Sequence, residues 1–195
     1  MSINKRLLFG SLAIAAVVVV AVSAVAAGRD DSNTHVAEDD DFTLTSSNDL
    51  SPTIGTNAAV TGEAFPAVDV QTLLGDSFPT ADLVGRPLVV NFWYSTCAPC
   101  KKELPGFAEV HAKLGDQVRF VGVDTLSPSD TEEAFARDKG VQYELLYDPD
   151  GELTSAVGVA AFPQTLFIDS QGTILKQTGE LTEEKLEELI RTTLL

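Results

Sequence analysis

The chain carries two cysteines, Cys97 and Cys100, and they stand together in Cys97-Ala98-Pro99-Cys100. Thiols at this spacing can cycle between dithiol and disulfide and can exchange with disulfides on other chains. An apolar run, Leu88-Val89-Val90-Asn91-Phe92-Trp93-Tyr94, leads into the pair and places it at a strand-to-helix junction. A sulfur in the first turn of a helix faces unpaired N–H groups and the positive end of the helix dipole, which favours the thiolate. Cys97 is therefore the candidate nucleophile and Cys100 the resolving partner. Pro99 suits that first turn, where its missing N–H has no intrahelical acceptor to lose and its φ is already close to helical.

A purely structural disulfide fits this spacing poorly. Closing so short a loop contributes only about 2 kcal/mol by the chain-entropy relation, against about 3 for a fifteen-residue loop. A zinc site also fits poorly, because two thiolates are half of a tetrahedral set and neither His35 nor His111 stands at a ligand spacing from them. The soft dithiol leaves copper binding open as an alternative.

The elements around the pair follow from periodicity. Residues 88–94 read as a buried strand, and the helix after Cys97 has Leu104, Phe107, Val110 and Leu114 at helical spacing, with a kink expected at Pro105. His111 on this helix reads as a boundary residue. Residues 117–124 form a second central strand, and Ser129-Asp130-Thr131-Glu132 is a capping-box pattern opening a helix that Gly140 stops. A short strand at 142–147 and a short helix at 152–157 follow. Residues 165–169 and 173–178 bracket Ser170-Gln171-Gly172 as an antiparallel hairpin, and Thr182 caps a last helix with Leu186, Leu189 and Ile190 facing inwards. Ahead of all these, residues 67–72 and 76–78 make a short hairpin around Gly75. The fold class is α/β, a mixed sheet flanked by helices with its first strands parallel.

The N-terminal part reads differently. Residues 7–27 are uncharged and follow Asn4-Lys5-Arg6; at about 1.5 Å per residue the run reaches about 31 Å as a helix, enough to cross a bilayer. The basic flank puts residue 1 in the cytoplasm and the remainder outside. Ala24-Val25-Ala26 resembles a signal-peptidase site, but the apolar run is longer than that of a cleaved signal, which favours an uncleaved anchor; either outcome exports the domain. Residues 1–28 are thus an anchor or signal, 29–61 an acidic flexible linker, and 62–195 one domain. A net charge of −16 argues against a nucleic-acid partner.

The motifs taken jointly carry a resemblance. Asn91-Phe92-Trp93, then Cys97-Ala98-Pro99-Cys100-Lys101-Lys102-Glu103-Leu104-Pro105, then Gly158-Val159 and Phe162-Pro163-Gln164-Thr165-Leu166-Phe167-Ile168-Asp169 resemble the membrane-anchored thioredoxin-like proteins of the TlpA/ResA group. The resemblance covers residues 63–195. It implies a thioredoxin-like fold with an N-terminal hairpin and a central helical insertion, preceded by one transmembrane helix. It also implies that Pro163 is cis and lies beside the dithiol, where the backbone of Phe162 pairs with a substrate chain, and that Glu103 tunes the thiols and takes part in substrate recognition. Trp93, Pro99 and Phe162 are further supporting or docking residues.

Three departures from the family pattern bear on the chemistry. Asn91 stands where thioredoxins proper have a buried aspartate, so no carboxylate at that position can take the Cys100 proton. Thr96 replaces the tryptophan that usually precedes the first cysteine. Phe162 replaces a small or hydroxyl residue, making the docking surface bulkier and more apolar.

The expected activity is thiol–disulfide exchange outside the cytoplasmic membrane, with no bound cofactor because the electrons reside on Cys97 and Cys100. The resemblance implies exported cysteine-containing proteins as substrates, such as apocytochrome c or a copper-site assembly protein, and a transmembrane thiol carrier of the CcdA/DsbD type as electron donor. Ala98-Pro99 holds no histidine to stabilise a thiolate strongly, which favours a reductant over a DsbA-like oxidase. A peroxiredoxin would need Pro-x-x-x-Thr/Ser-x-x-Cys, and Val90 and Tyr94 occupy those positions. A copper metallochaperone would need wider cysteine spacing and a downstream histidine.

Overall fold

All six residues of Leu88–Trp93 are buried, as a continuous apolar run in a strand covered on both sides must be. In the computed structural model, which describes residues 56–195, this run is the third of seven strands. The chain order is β1 (Asp69–Gln71), β2 (Ser77–Pro79), a 3-10 turn (Thr80–Leu83), β3 (Leu88–Trp93), α1 (Ala98–Leu114), β4 (Arg119–Asp124), α2 (Asp130–Asp138), β5 (Glu144–Tyr147), α3 (Glu152–Ala156), β6 (Gln164–Ile168), β7 (Ile174–Thr178) and α4 (Glu183–Thr193). One sheet holds the strands in the order β2-β1-β5-β4-β3-β6-β7. Strands β3, β4 and β5 run parallel, as helical crossovers require, and the hairpins β1/β2 and β6/β7 are antiparallel. The fold is thioredoxin-like, and the insertion between β4 and β6 supplies strand β5 to the sheet as well as helices.

Alternation along β3 divides the core in two. Val89 and Trp93 join Leu104, Phe107 and Val110 of α1 and Leu186, Leu189 and Ile190 of α4 on one face. Leu88, Val90 and Phe92 pack on the opposite face with Leu83, Val121, Val123, Leu153 and Leu166. Gly122 on β4 makes room for the first group: a Cβ there would lie 2.8 Å from a Leu145 methyl and 3.0 Å from the Trp93 indole nitrogen.

The helix ends follow their caps. Thr182 accepts the Lys185 N–H at the start of α4, and Ser129 accepts the Glu132 N–H at the start of α2. The capping box at α2 is only half formed, because the Glu132 carboxylate turns instead to the Ser95 hydroxyl. Helix α1 continues through Pro105, whose ring lies on its exposed side.

The predicted membrane span at 7–27 and nearly all of the predicted linker lie outside the described residues. Among the described residues no helix is long and apolar enough to cross a membrane. Residues 57–60, which the sequence pattern assigns to the linker, are held against the domain: Val60 is buried, and the Ala58 N–H donates to the Gly158 carbonyl at 2.9 Å.

Candidate active site

Cys97 is the N-cap of α1 and Cys100 lies in its first turn. The two form a disulfide with an S–S distance of 2.02 Å and a Cα–Cα separation of 5.3 Å. The pair is asymmetric: Cys97 keeps 5% exposure and Cys100 has none. The Cys100 N–H donates to Cys97 Sγ at 3.2 Å, so the sulfur at the helix end occupies the acceptor position that a serine or aspartate cap fills elsewhere. Pro99 sits in that first turn, as expected from its lack of an N–H.

Below the dithiol the structure supplies what Asn91 withholds. Asn91 is on the same sheet face as Val89 and Trp93, under α1, and its amide donates to Glu103 Oε1 at 2.8 Å and to Thr165 Oγ1 at 3.1 Å. The Leu181 N–H donates to Glu103 Oε2 at 3.1 Å. Glu103 is three residues beyond Cys100, hence its neighbour on the helix surface, and is 3% exposed. Burial pushes its carboxyl up to about 7, against the opposing effect of the two hydrogen bonds and with a further lift from the charge of Glu180. The buried carboxyl of this site thus comes from the helix and meets the Asn91 amide of the strand. A shallow cleft lined by Lys102, Glu103, Gly106, Glu180 and Leu181 borders it.

The predicted docking residues divide into supporting and surface-facing ones. Trp93 has no exposed surface; it stacks on Phe135 at 5.9 Å and supports the site from within rather than meeting another chain. Phe162 is half-buried and meets Tyr94 edge-on at 5.2 Å, forming an apolar rim over the loop that leads to Cys97. The Phe162–Pro163 bond is cis, as the family resemblance implies, and Pro163 leads directly into β6, which pairs Gln164 with Phe92 of β3. His111 lies edge-on to Phe120 and Tyr143, each at 5.4 Å, with burial holding its imidazole below the usual value. Among the described residues no three His, Cys, Asp or Glu side chains are grouped to hold a metal.

One residue with no sequence signal grips this edge. Asn57 Oδ1 accepts the N–H groups of both Ala160 and Ala161 at 2.7 Å, while its Nδ2 donates to the Ala161 carbonyl and to Gln164 Oε1. A single amide therefore ties down the chain on both sides of Phe162–Pro163. It stands at the end of a stretch rich in Ser, Thr and Asn, where no periodicity distinguishes it from its neighbours.

Comparison with known proteins agrees with this geometry. Residues 61–177 match the AhpC/TSA family. The thiol-disulfide oxidoreductase ResA of Halalkalibacterium halodurans is 28% identical over 131 residues, covering 66% of this chain and 74% of that protein. The thiol:disulfide interchange protein HelX of Rhodobacter capsulatus is 34% identical over 136 residues, covering 68% of this chain and 76% of that one. Among solved structures, a secreted Mycobacterium tuberculosis disulfide oxidoreductase homologous to E. coli DsbE superposes with a TM-score of 0.58 at 26% identity, over 65% of this chain and 96% of that one. Val90 and Tyr94 still stand where a peroxidatic loop would need proline and a hydroxyl, and the chain's own cysteines form a close pair. The chain belongs to the AhpC/TSA family and is, within it, a thioredoxin-fold thiol-disulfide oxidoreductase of the ResA, DsbE and HelX type.

Proposed function

We propose that the protein is an extracytoplasmic reductant, with Cys97 as the attacking sulfur, Cys100 as the resolving one and Glu103 as the proton acceptor for Cys100. The observation that carries the reading is the asymmetry of the pair: a marginally exposed sulfur at a helix N-terminus, accepting a backbone N–H, beside a sealed sulfur with a buried carboxyl one turn away. The Cys97 thiolate attacks a substrate disulfide, that S–S bond breaks, and one substrate sulfur leaves as thiolate while the other is held in a mixed disulfide. Cys100 then passes its proton to Glu103 and attacks Cys97 Sγ, releasing the second substrate thiolate and closing the Cys97–Cys100 disulfide. Two electrons have moved to the substrate. A carboxyl poised near 7 suits this proton transfer, since it can hold or release the proton at neutral pH.

The cis Phe162–Pro163 edge, beside an apolar rim of Phe162 and Tyr94, suits an extended cysteine-containing segment. Resemblance to the TlpA/ResA group supports apocytochrome c, or another exported protein needing reduced cysteines, as substrate. It also supports an N-terminal membrane anchor and a CcdA/DsbD-type carrier that returns electrons to the pair. An oxidising compartment makes such a donor necessary.

Replacing Cys100 by Ser removes the resolving step, so Cys97 is expected to accumulate as mixed disulfides with exported proteins, identified by mass spectrometry; no trapped species would count against the reading. The potential of the pair sets its direction. A value near or below about −250 mV supports a reductant, whereas about −120 to −180 mV would make the protein a disulfide-introducing oxidase.

A further inference from the structure

A second buried acid site lies at the end of β4 and reaches the loop that carries Cys97 through Ser95. Asp124, the last residue of β4, has no exposed surface; its Oδ1 accepts the Leu126 N–H at 2.9 Å. Glu132, in the first turn of α2, uses Oε1 to accept the Ser95 hydroxyl at 2.8 Å. The remaining oxygens, Asp124 Oδ2 and Glu132 Oε2, are both buried and meet no N–H or O–H donor. The two carboxyls lie within hydrogen-bonding reach of each other. Two desolvated carboxylates cannot satisfy one another, because both only accept; one proton between them turns the orphan pair into a donor and an acceptor.

No cation takes the place of that proton. Arg137, the nearest basic group on α2, is engaged by Glu133 Oε1 and by the carbonyls of Val141 and Tyr143. Lys101 of α1 and Lys139 after α2 lie over the Phe135 ring. From β5, Tyr147 pairs with Asp124 across the sheet and brings a buried phenol, and Glu133 adds a further negative charge. Among the described residues, no ion pair involves Asp124 or Glu132.

Ser95 connects this site to the chemistry. It lies two residues before Cys97 in the turn between β3 and α1, where the Thr125 N–H donates to the Trp93 carbonyl and the Cys97 N–H to the Tyr94 carbonyl. We propose that Asp124 keeps a proton that it donates to Glu132 and that the pair so bonded, through Ser95, positions the loop presenting Cys97, so that losing the proton loosens that loop and slows exchange. The positioning role rests on the reading of Cys97 as the attacking sulfur. When the proton leaves, two adjacent negative charges occupy a sealed site, and Glu132, the less buried of the two, must rotate away and abandon Ser95. Burial in the first place, then the hydrogen bond and charge of Glu132, push the Asp124 carboxyl up to about 7, which puts the event in the neutral range.

Two substitutions imitate the protonated pair. Asp124→Asn offers a permanent N–H to Glu132 Oε2 and keeps an oxygen for Leu126; Glu132→Gln offers one to Asp124 Oδ2 and keeps an oxygen for Ser95. The experiment measures, on the reduced full-length protein, the rate constant for exchange with a small aromatic disulfide against pH, corrected for Cys97 thiolate fraction. Infrared spectra of the same samples follow the protonated Asp carboxyl. The wild-type protein is expected to show an Asp carboxyl band that fades through neutrality together with a fall in rate of about fivefold, the equivalent of one hydrogen bond. Asp124→Asn or Glu132→Gln, whichever folds, should keep the fast rate throughout. Ser95→Ala should keep the band and its titration while giving the slow rate at every pH.

A wild-type profile without the fall, an identical fall in both imitating variants, or no Asp band at pH 6 would overturn the proposal. Cys97→Ser separates the two readings: if exchange persists in it, the role assigned to Cys97 fails, whereas the band reports on the proton alone.

Discussion

The two faces of the central sheet are built by the same strands and do different work. On the face under α1 and α4, alternate residues of β3 and β6 bring Asn91, Trp93 and Thr165 beneath the dithiol, and Glu103 descends to meet them. On the other face the same strands present Leu88, Val90, Phe92, Leu166 and Ile168, with Gln164, opposite Phe92, the one amide these two strands place there. The difference shows where a fold can carry chemistry. Buried polar groups are costly unless bonded, so they gather where a helix N-terminus, a strand end and the loop before β6 supply their partners.

The comparison is broken most decisively on the polar face. Cys97→Ser is expected to abolish disulfide exchange, scored by reduction of a protein disulfide, while thermal unfolding stays cooperative. Residual exchange carried by Cys100 would show that the two sulfurs are less distinct than their exposures indicate.

On the apolar face, Phe92→Ala removes a fully buried ring one residue from Trp93, and a loss of about 3–5 kcal/mol is expected in chemical denaturation. The exchange rate of the folded fraction should change by no more than about twofold if the faces are energetically separate. A larger drop would join them.

Glu103→Gln sharpens the contrast through pH. Glu103 binds its proton up to about 7 in the folded state, against the usual 4.5 when unfolded. Between those values the native state holds a proton that the unfolded chain has released, so stability falls as pH rises through that window. The variant should therefore be less dependent on pH from about 4.5 to about 7 and relatively more stable above it, as followed by denaturant midpoints. Asp124 works in the same direction, so part of the slope should remain.

The smallest effect is expected at Asn57, whose neighbour Val60 packs on the apolar face while its own amide holds the chain before Phe162–Pro163. Asn57→Ala should cost about 1–3 kcal/mol from unpaired backbone groups. It should also raise KM for a protein substrate more than for a small disulfide, and an equal rise for both would deny the loop its part in docking.

Much of this was legible from local pattern. The dithiol at a strand-to-helix junction, Pro99 in the first helical turn, the Ser129 and Thr182 caps and both hairpins depend on residues close in sequence, so spacing alone reveals them. The capping box is only half legible for the opposite reason: Ser129 behaves as the pattern requires, but Glu132 finds a partner 37 residues back in Ser95. Asn57 reaches across 103 residues to Ala160, and no period or composition marks such a contact.

The sequence by itself determined that two thiols would sit at a helix N-terminus ahead of a buried strand, because period and propensity act over a few residues. Only the tertiary structure decided which carboxyls would be stripped of water. Glu103 is marked in the chain by family resemblance and Glu132 by its place in a cap pattern, but neither period nor spacing shows that Glu103 meets Asn91 or that Asp124 meets Glu132; their chemistry arises from burial, and burial is settled by which elements pack together.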